Sequence, residues 1–295
     1  MNITLKQLRI FTTLAKSANI GIAAQSLCLT KPAVSMALKE LENQLNQTLF
    51  ERLPNRLRLN SQGELLLPLA HELLSRSEEI SQLFESQALT GELHLGCSKT
   101  IGNQLMPAIL AQFRQQTGHQ RQSLQIMNSR DVCQQIANYE LDLGLIEANV
   151  CLPGQVLAPW HQDTMCIIAP PNHPLAQQKQ LPLAALEQQN WVLREDGSGS
   201  RAWFNREVAA HLQHWQLTLE LNEAMGIINC VAHNLGLSCI SELTASDALQ
   251  SGKVVALDLA QPLTRPLFLV YQQNKRQSPL CQRFIEHLQR CVGGL

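Results

Sequence analysis

Two sets of residues have the types and spacing to do chemistry. The first lies near the N-terminus: Thr30, Lys31, Pro32, Ser35, Met36 and Lys39 in "LTKPAVSMALK", then Arg52, Arg56 and Arg58 in "LFERLPNRLRLN". Cations and hydroxyls grouped in this way suit a polyanion: Lys and Arg neutralise phosphates, and short polar side chains reach base edges. The second set is spread through the rest of the chain: Ser98, Lys99, Thr100, Ser129, Glu147, Ser198 and Arg201. Hydroxyls, two cations and glycine-flanked backbone suit a small oxyanion or carboxylate, and Glu147 could gate such a site by charge. Neither set forms catalytic machinery. There is no nucleophile elbow, P-loop, HExxH or complete GxGxxG, and "GSGS" at 197–200 is too short for a phosphate loop. Nothing places Ser198 beside a histidine, so no enzyme is expected. Nor is any metal or cofactor: His211 and His214 stand three apart with no obvious third ligand, and the nine cysteines are scattered and never spaced as CxxC. Such cysteines read as small buried hydrophobes of a reducing compartment.

The elements that would hold the first set are legible. Thr4 and Gln7 make a T-x-x-Q capping pattern, and Leu5, Leu8, Phe11, Leu14 and Ala15 follow at helical spacing. A short helix covers residues 20–27, and "CLT" makes a tight turn. Thr30 then caps a third helix with Pro32 in its first turn. Val34, Leu38, Leu41 and Leu45 form its apolar stripe. Pro32, Ser35 and Lys39 lie opposite, flanked by Lys31 and Met36. Helix, tight turn, helix is the geometry of readers that enter the DNA major groove by the N-terminal end of the second helix. A plain three-helix bundle with a wet outer face has the same spacing. The basic hairpin around Pro54-Asn55 favours the first reading, as a wing suited to phosphate or minor-groove contact. Ser61 and Glu64 then form an S-x-x-E capping box, and a long helix runs to about residue 87. Its stripe of Leu66, Ala70, Leu73, Ser77, Ile80 and Phe84 is widened by leucines at 65, 67, 69 and 74. So much apolar surface calls for a paired linker helix in a dimer, or for packing on the chain's own body.

From Leu93 the pattern alternates. "LHLGC", "SLQIM", "LGLI", "MCIIAPP", "NWVLRE", "LTLEL", "LGLSCIS" and "LFLVY" read as strands. Helices are expected at 102–116, 129–139, 198–211 and 223–233 and from about residue 279. This predicts mostly parallel sheets covered by helices, enough for two lobes. Ligands of such folds sit outside the C-terminal strand ends, where helix N-termini expose free N–H groups, and the second residue set falls at those ends. The bland alternatives stay open: Ser129 and Ser198 as N-caps, Glu147 as a hinge residue, Lys99 pointing to solvent, and Arg194, Glu195 and Arg201 as a surface or inter-lobe ion-pair group.

Composition bounds the rest. The 295 residues carry a net charge of −1, yet residues 1–60 hold eight Lys or Arg against three Glu. A basic head on an acidic body fits a polyanion partner. No apolar run approaches the ~20 residues of a membrane helix, and "MNITLKQLRIF" lacks the layout of a signal peptide. A cytoplasmic protein with no membrane partner is expected.

From end to end the sequence resembles the LysR-type transcriptional regulators. "AAQSLCLTKPAVSMALKELENQLNQTLFER" with "LRLNSQG" carries the resemblance in the head, and "NHPLA" at 172–176 with "REDGSGSR" at 194–201 carries it in the body. "SKTIGN", "NSRDV" and "LDLGLIE" are similar to a subgroup that regulates sulfur-compound and carbon-fixation genes. The resemblance implies an α/β protein: a winged helix-turn-helix over 1–60, a linker and dimerisation helix over 61–88, and an effector domain over 89–295. That domain would have two lobes, as in a type 2 periplasmic binding protein, with lobe I at 91–161 and 267–295 and lobe II at 162–266. It also implies three partners: double-stranded promoter DNA, a small-molecule effector and the chain itself, as homodimer or homotetramer. Matched by position, Thr30, Lys31, Pro32, Ser35, Met36 and Lys39 would form the recognition surface, and Arg52, Arg56 and Arg58 the wing. The family often has a small residue or glutamine where this chain has Lys31, so no operator sequence is carried over. In the subgroup a sulfur oxyanion or a phosphorylated metabolite would fit the second set. A solute-binding protein would share the body fold, but the basic head and the N-terminus argue against it.

Overall fold

The computed structural model describes residues 3–53, 56–82, 89, 91–275 and 277–291. The chain divides into two compact units, Met1–Thr90 and Gly91–Leu295.

In the first unit, helix α1 (Leu5–Ser17) starts at the Thr4–Gln7 capping box, with both reciprocal hydrogen bonds made. Helix α2 (Ile20–Ser26) is capped by Asn19, whose Oδ1 accepts from the Gly21 and Ile22 N–H groups. Helix α3 (Lys31–Leu45) is capped by Thr30 and carries Pro32 in its first turn. Leu8, Phe11, Leu14, Ala23, Val34 and Leu41 close a small core between these helices. The hairpin of β1 (Phe50–Leu53) and β2 (Arg56–Leu59) pairs Phe50 with Leu59, and Phe50 packs its ring on Phe11. Helix α4 (Ser61–Gln82) begins differently from the expected capping box. Asn60 is the cap, its Oδ1 accepting from the Gln62 and Gly63 N–H groups, and Ser61 is already helical. Asparagine is at least as good a cap as serine and sits one residue closer to the strand end. The expected stripe on α4 also divides. Leu66, Ala70 and Leu74 join the core of the unit, whereas Leu65, Leu69, Leu73 and Ile80 are exposed. Phe84 lies outside the described residues.

The second unit opens with β3 (Leu93–Ser98), a π-helical turn at Ile101–Leu105 and α5 (Met106–Thr117). There follow β4 (Gln122–Met127), α6 (Ser129–Ala137), β5 (Leu143–Ile146) and the 15-residue strand β6 (Gln155–Ala169). Next come β7 (Asn190–Arg194), α7 (Gly199–Glu207), β8 (Gln216–Leu221), α8 (Ala224–Ala232), β9 (Ser238–Ser241) and α9 (Glu242–Gln250). The last elements are β10 (Val255–Ala256), β11 (Leu263–Gln272) and α10 (Pro279–Cys291).

The expectation of mostly parallel sheets needs correction. β3 pairs in parallel with β4 and β5, and β7 with β8. The long strands β6 and β11 run antiparallel, all of β11 pairing with Gln155–Met165 of β6, and β5, β9 and β10 join them antiparallel. The result is a mixed sheet in the order β10-β6-β11-β5-β3-β4, with β9 also on β6. β6 begins ten residues before the apolar run that marked it in the sequence, because its first half is ordered by pairing with β11. Helix α9, with little amphipathic pattern, was not expected at all. One core gathers Val132, Ile136, Ile146 and Val270. Two others lie around β7, β9 and the end of β6, with Trp191, Trp203 and Phe204 in one and Ile168, Ile227 and Ile240 in the other. β6 and β11 run through both halves.

Of the nine cysteines, all free, five are buried as expected, but Cys28 and Cys151 are exposed. No group of His, Cys, Asp and Glu among the described residues is placed to hold a metal ion. No helix among them is long and apolar enough to cross a membrane.

Candidate functional site

In the head, Val34, Leu38 and Leu41 are buried, which holds α3 in place by one face. The other face presents Thr30, Lys31, Pro32, Met36 and Lys39 to solvent, with Ser35 half-buried among them. Met36 is 71% exposed, too much for a core residue. Lys31 lies back over the start of α2: a Cβ on Gly21 would stand 3.1 Å from its Cε. Arg56 and Arg58 are exposed on β2. Arg52 is on β1, and its side chain lies outside the described residues. A convex, cationic helix end beside a basic hairpin can meet a phosphate backbone and offer short side chains to a groove.

In the second unit the structure gathers residues that are far apart in sequence around one guanidinium. Arg265, on β11, is fully buried. Its Nε donates to Asp163 Oδ2 (2.8 Å), its cross-strand partner on β6. Its Nη1 donates to Glu147 Oε2 (2.7 Å) and to Ser200 Oγ (2.9 Å). Its Nη2 donates to Thr100 Oγ1 (3.2 Å) and also reaches Asp163 Oδ2 (2.6 Å). Glu147, just past the end of β5, takes further donors on its carboxylate. The Thr100 N–H reaches Oε1 (2.9 Å) and the Ser200 hydroxyl reaches Oε2 (3.1 Å). Ser241 Oγ donates to Asp163 Oδ1 (2.8 Å).

This hub holds one guanidinium and two carboxylates, a net negative charge out of water. Burial alone raises the Glu147 pKa, but Arg265 and the surrounding hydroxyl and amide donors outweigh it and hold the carboxyl below its ordinary value. Burial likewise lowers the Arg265 pKa, and Glu147 and Asp163 outweigh that, raising it. Ser200 lies in the first turn of α7, Ser241 is the N-cap of α9, and Thr100 precedes the π turn that opens α5. Helix N-termini favour negative charge, which accounts for the excess carboxylate. The close approach of α7 depends on glycine: a Cβ on Gly199 would lie 2.7 Å from Glu147 Cβ and 2.9 Å from its carbonyl carbon.

The residues expected to bind an effector are placed in three ways. Thr100, Ser129 and Glu147 are in or against the hub, with Ser129 Oγ accepting from the Glu147 N–H (3.4 Å). Asn128, not Ser129, caps α6. Ser98 is buried at the end of β3, and its hydroxyl makes no hydrogen bond of normal geometry although it faces the Glu147 carboxylate. Ser198 and Arg201 line a neighbouring pocket with Glu147 at its wall. Ser198 is the N-cap of α7 but makes no capping hydrogen bond. Lys99 does not point to solvent. Its ammonium group pairs with Glu223 and reaches the Asn222 carbonyl. Arg194 is buried and forks onto Glu195 (2.8 and 2.9 Å), while Arg201 lies 3.7 Å from Glu220. Reading the sequence missed Arg265, Asp163 and Ser241; Ser200 falls within the "GSGS" stretch at a strand end but is not among the residues expected to bind there. A signal was present for the first two: Arg265 interrupts the apolar run "PLTRPLFLVY", and Asp163 precedes "TMCIIA". A charge inside a buried strand needs a partner.

Comparison with known proteins agrees with this division. Residues 5–64 match the bacterial regulatory helix-turn-helix protein model of the lysR family, and residues 86–292 match the LysR substrate binding domain. The helix-turn-helix-type transcriptional regulator YeiE of Escherichia coli K12 is 35% identical over 97% of both chains. The RuBisCO operon transcriptional regulator of Allochromatium vinosum is 30% identical over 97% of this chain and 95% of its own. Among solved structures, a full-length OxyR variant of Pseudomonas aeruginosa shares the fold with a TM-score of 0.80, at 22% identity over 99% of this chain and 95% of that one. The regulatory domain of CcmR from Synechocystis PCC6803, in complex with 2-PG, matches with a TM-score of 0.65, at 24% identity over 70% of this chain and 99% of that one. The chain belongs to the LysR family and is a transcriptional regulator, with a helix-turn-helix head and a LysR substrate-binding domain.

Proposed function

We propose that the chain acts in the cytoplasm as a homodimer or homotetramer that binds promoter DNA and responds to a small anionic metabolite. On DNA, Ser35, Met36 and Lys39 read the major groove, and Thr30, Lys31, Arg52, Arg56 and Arg58 hold the backbone. The exposed row of Leu65, Leu69, Leu73 and Ile80 on α4 supports pairing with a second copy, since four large apolar side chains on one helix face are costly to leave in water. The domain limits stay as proposed from the sequence: head 1–60, linker 61–88, effector domain 89–295 with its two lobes.

The effector reading rests on one observation: the hub already holds a carboxylate. The Thr100 N–H, the Ser200 hydroxyl and the Arg265 guanidinium converge on Glu147. A carboxylate or oxyanion of the effector would take the same donors, and Ser98 Oγ offers one more. Because these donors come from both halves of the domain, such an anion would alter how the halves are tied. The solved CcmR domain with 2-PG and the QuiR domain with shikimate, both acids, support an anionic class. Thermal stability across sulfite, sulfate, thiosulfate, phosphate and two- to six-carbon acids tests it. A binder at a hundred times its dissociation constant adds about 2.7 kcal/mol. The expected result is a shift with one class of anion that Thr100→Ala with Ser200→Ala removes, while DNA binding persists. No shift with any anion would end the reading.

A further inference from the structure

Two of the nine cysteines, Cys133 and Cys151, line one pocket of about 260 Å³ between α6, α7 and the segment that follows β5, with the exposed pair Arg130 and Asp196 (2.8 Å) on its rim. Cys133 is buried on α6, whereas Cys151 is exposed on the segment. Two contacts tie that segment to Cys133, one on each side of Cys151. The Cys133 thiol donates to the Val150 carbonyl (3.5 Å). Gln155 secures the other side: its Nε2 donates to the Cys133 carbonyl (2.6 Å), and its Oε1 accepts from the Leu152 N–H (2.9 Å). Cys151 is the residue between two anchors on the same cysteine. The Val150 oxygen that the Cys133 sulfur touches is three bonds, about 4 Å at most, from the Cys151 Cα. The thiols also sense each other. Burial pushes the Cys133 thiol up to about 11, and the negative charge that Cys151 can carry adds to the rise. The other cysteines lack this arrangement. Cys28 is the only cysteine of the first unit. Cys166 and Cys239 lie on the paired strands β6 and β9 but are both buried, away from any dissolved reagent.

We propose that Cys133 and Cys151 are a redox modification site: a hydroperoxide joins them in a disulfide, which staples the segment after β5 to α6 and tightens the pocket they share. Cys151 reacts first because its sulfur is accessible. Its thiolate attacks one oxygen of hydrogen peroxide. The O–O bond breaks, Cys151 becomes a sulfenic acid, and the departing hydroxide takes up the thiol proton as water. Cys133, as its thiolate, then attacks the Cys151 sulfur. The S–S bond forms, the S–O bond breaks, and the second hydroxide leaves as water with the Cys133 proton. In sum, two thiols give two electrons and two protons to one peroxide, yielding a disulfide and two waters. Closing the bond asks for rotation of two side chains, since the anchors on Val150 and Leu152 already hold the backbones together. The second step is the slow one, because little of the buried Cys133 is thiolate at neutral pH. A dithiol reductant reverses the staple, which suits a sensor in a reducing compartment. This inference does not depend on the effector reading of the hub.

The test treats the reduced full-length protein with hydrogen peroxide, blocks the remaining thiols with iodoacetamide, and identifies the products by mass spectrometry. Digestion at Lys, Arg and Glu suits it, because cleavage after Glu140 and Glu147 puts the two cysteines on separate peptides. The expected product is a disulfide within one chain that links those two peptides. It should form through a sulfenic acid at Cys151 that dimedone traps, and dithiothreitol should reverse it. Hydrogen exchange of the amides at 148–152 should slow in the oxidised protein, as a stapled segment opens less often. Cys151→Ser should lose both the sulfenic acid and the disulfide. Cys133→Ser should lose the disulfide and gain dimedone labelling at Cys151, whose sulfenic acid then has no thiol to resolve it. Either variant alone tests the pairing, so a folding defect in one does not shield the proposal. Four results would overturn it: Cys151 left reduced by peroxide, Cys151 carried to sulfinic or sulfonic acid with no link to Cys133, a link to another cysteine or to a second chain, or a Cys151 disulfide that persists in Cys133→Ser. A Cys133–Cys151 disulfide with unchanged exchange at 148–152 would overturn the staple.

Discussion

The head surface and the Arg265 hub solve opposite problems. On α3 the functional side chains face solvent for the most part, with Ser35 half-buried and Lys31 lying over the start of α2. Their placement depends only on the apolar stripe beneath them, and water solvates them at no cost. In the hub every functional side chain is buried, and each charge is tolerable only because the others are within hydrogen-bond reach. The first surface should therefore be easy to mutate without unfolding, and the second hard. It also follows that function and stability are separable in the head and entangled in the hub.

That contrast breaks most readily at its buried end. Arg265→Leu strands Glu147 and Asp163 as unpaired buried acids, and removing one partner of a buried pair typically costs about 3–5 kcal/mol. Calorimetry of the variant should show a large fall in melting temperature; a change within error would mean that the hub is not buried as described. Next comes the recognition face. Ser35→Ala with Lys39→Ala should weaken binding by about tenfold or more. The measurement uses a DNA fragment that the wild-type protein selects from a random library, and melting and oligomeric state should not change. A matching loss of stability would erase the separation. Thr30→Ala joins the two behaviours, because the side chain caps α3 by accepting from the Ala33 N–H. It should lose about 1 kcal/mol of stability as well as DNA affinity.

The pH dependence sharpens the same contrast. Glu147 is held below its ordinary value of 4.5 in the fold, so the unfolded chain takes up that proton first as pH falls. Its contribution to stability is complete above the unfolded value and is lost as pH drops through the lower folded one. Glu147→Gln should flatten the acid limb of the stability curve and leave the neutral-to-alkaline slope alone. The smallest effect is expected on the rim. Arg130 and Asp196 are both well exposed, so Arg130→Ala should leave the melting temperature unchanged, and added salt should not reveal a difference.

Legibility in the sequence followed the same divide. The capping box at Thr4, the Thr30 cap and the stripe Val34, Leu38, Leu41 are local patterns, and each appeared in the structure where the spacing put it. The cap of α4 was misread by one residue because Asn60 and Ser61 are both good caps, and only strand geometry chose between them. The strand β6 was half-read, since residues 155–164 have no strong alternation and owe their order to β11. Thr100, Ser129 and Glu147 were legible as polar residues at strand ends. That Glu147 carries the negative charge at the centre was not.

What the sequence alone determined is the basic head, its helix-turn-helix and wing, the alternating body and the family. All of these are written in short-range periodicity, caps and composition. Only the tertiary structure decided which of the many polar residues share one site. Thr100, Glu147, Asp163, Ser200, Ser241 and Arg265 come from six segments joined by an antiparallel crossing of β6 and β11. A buried charge is stable only beside its partners, and that proximity is a property of the folded chain that no local pattern encodes.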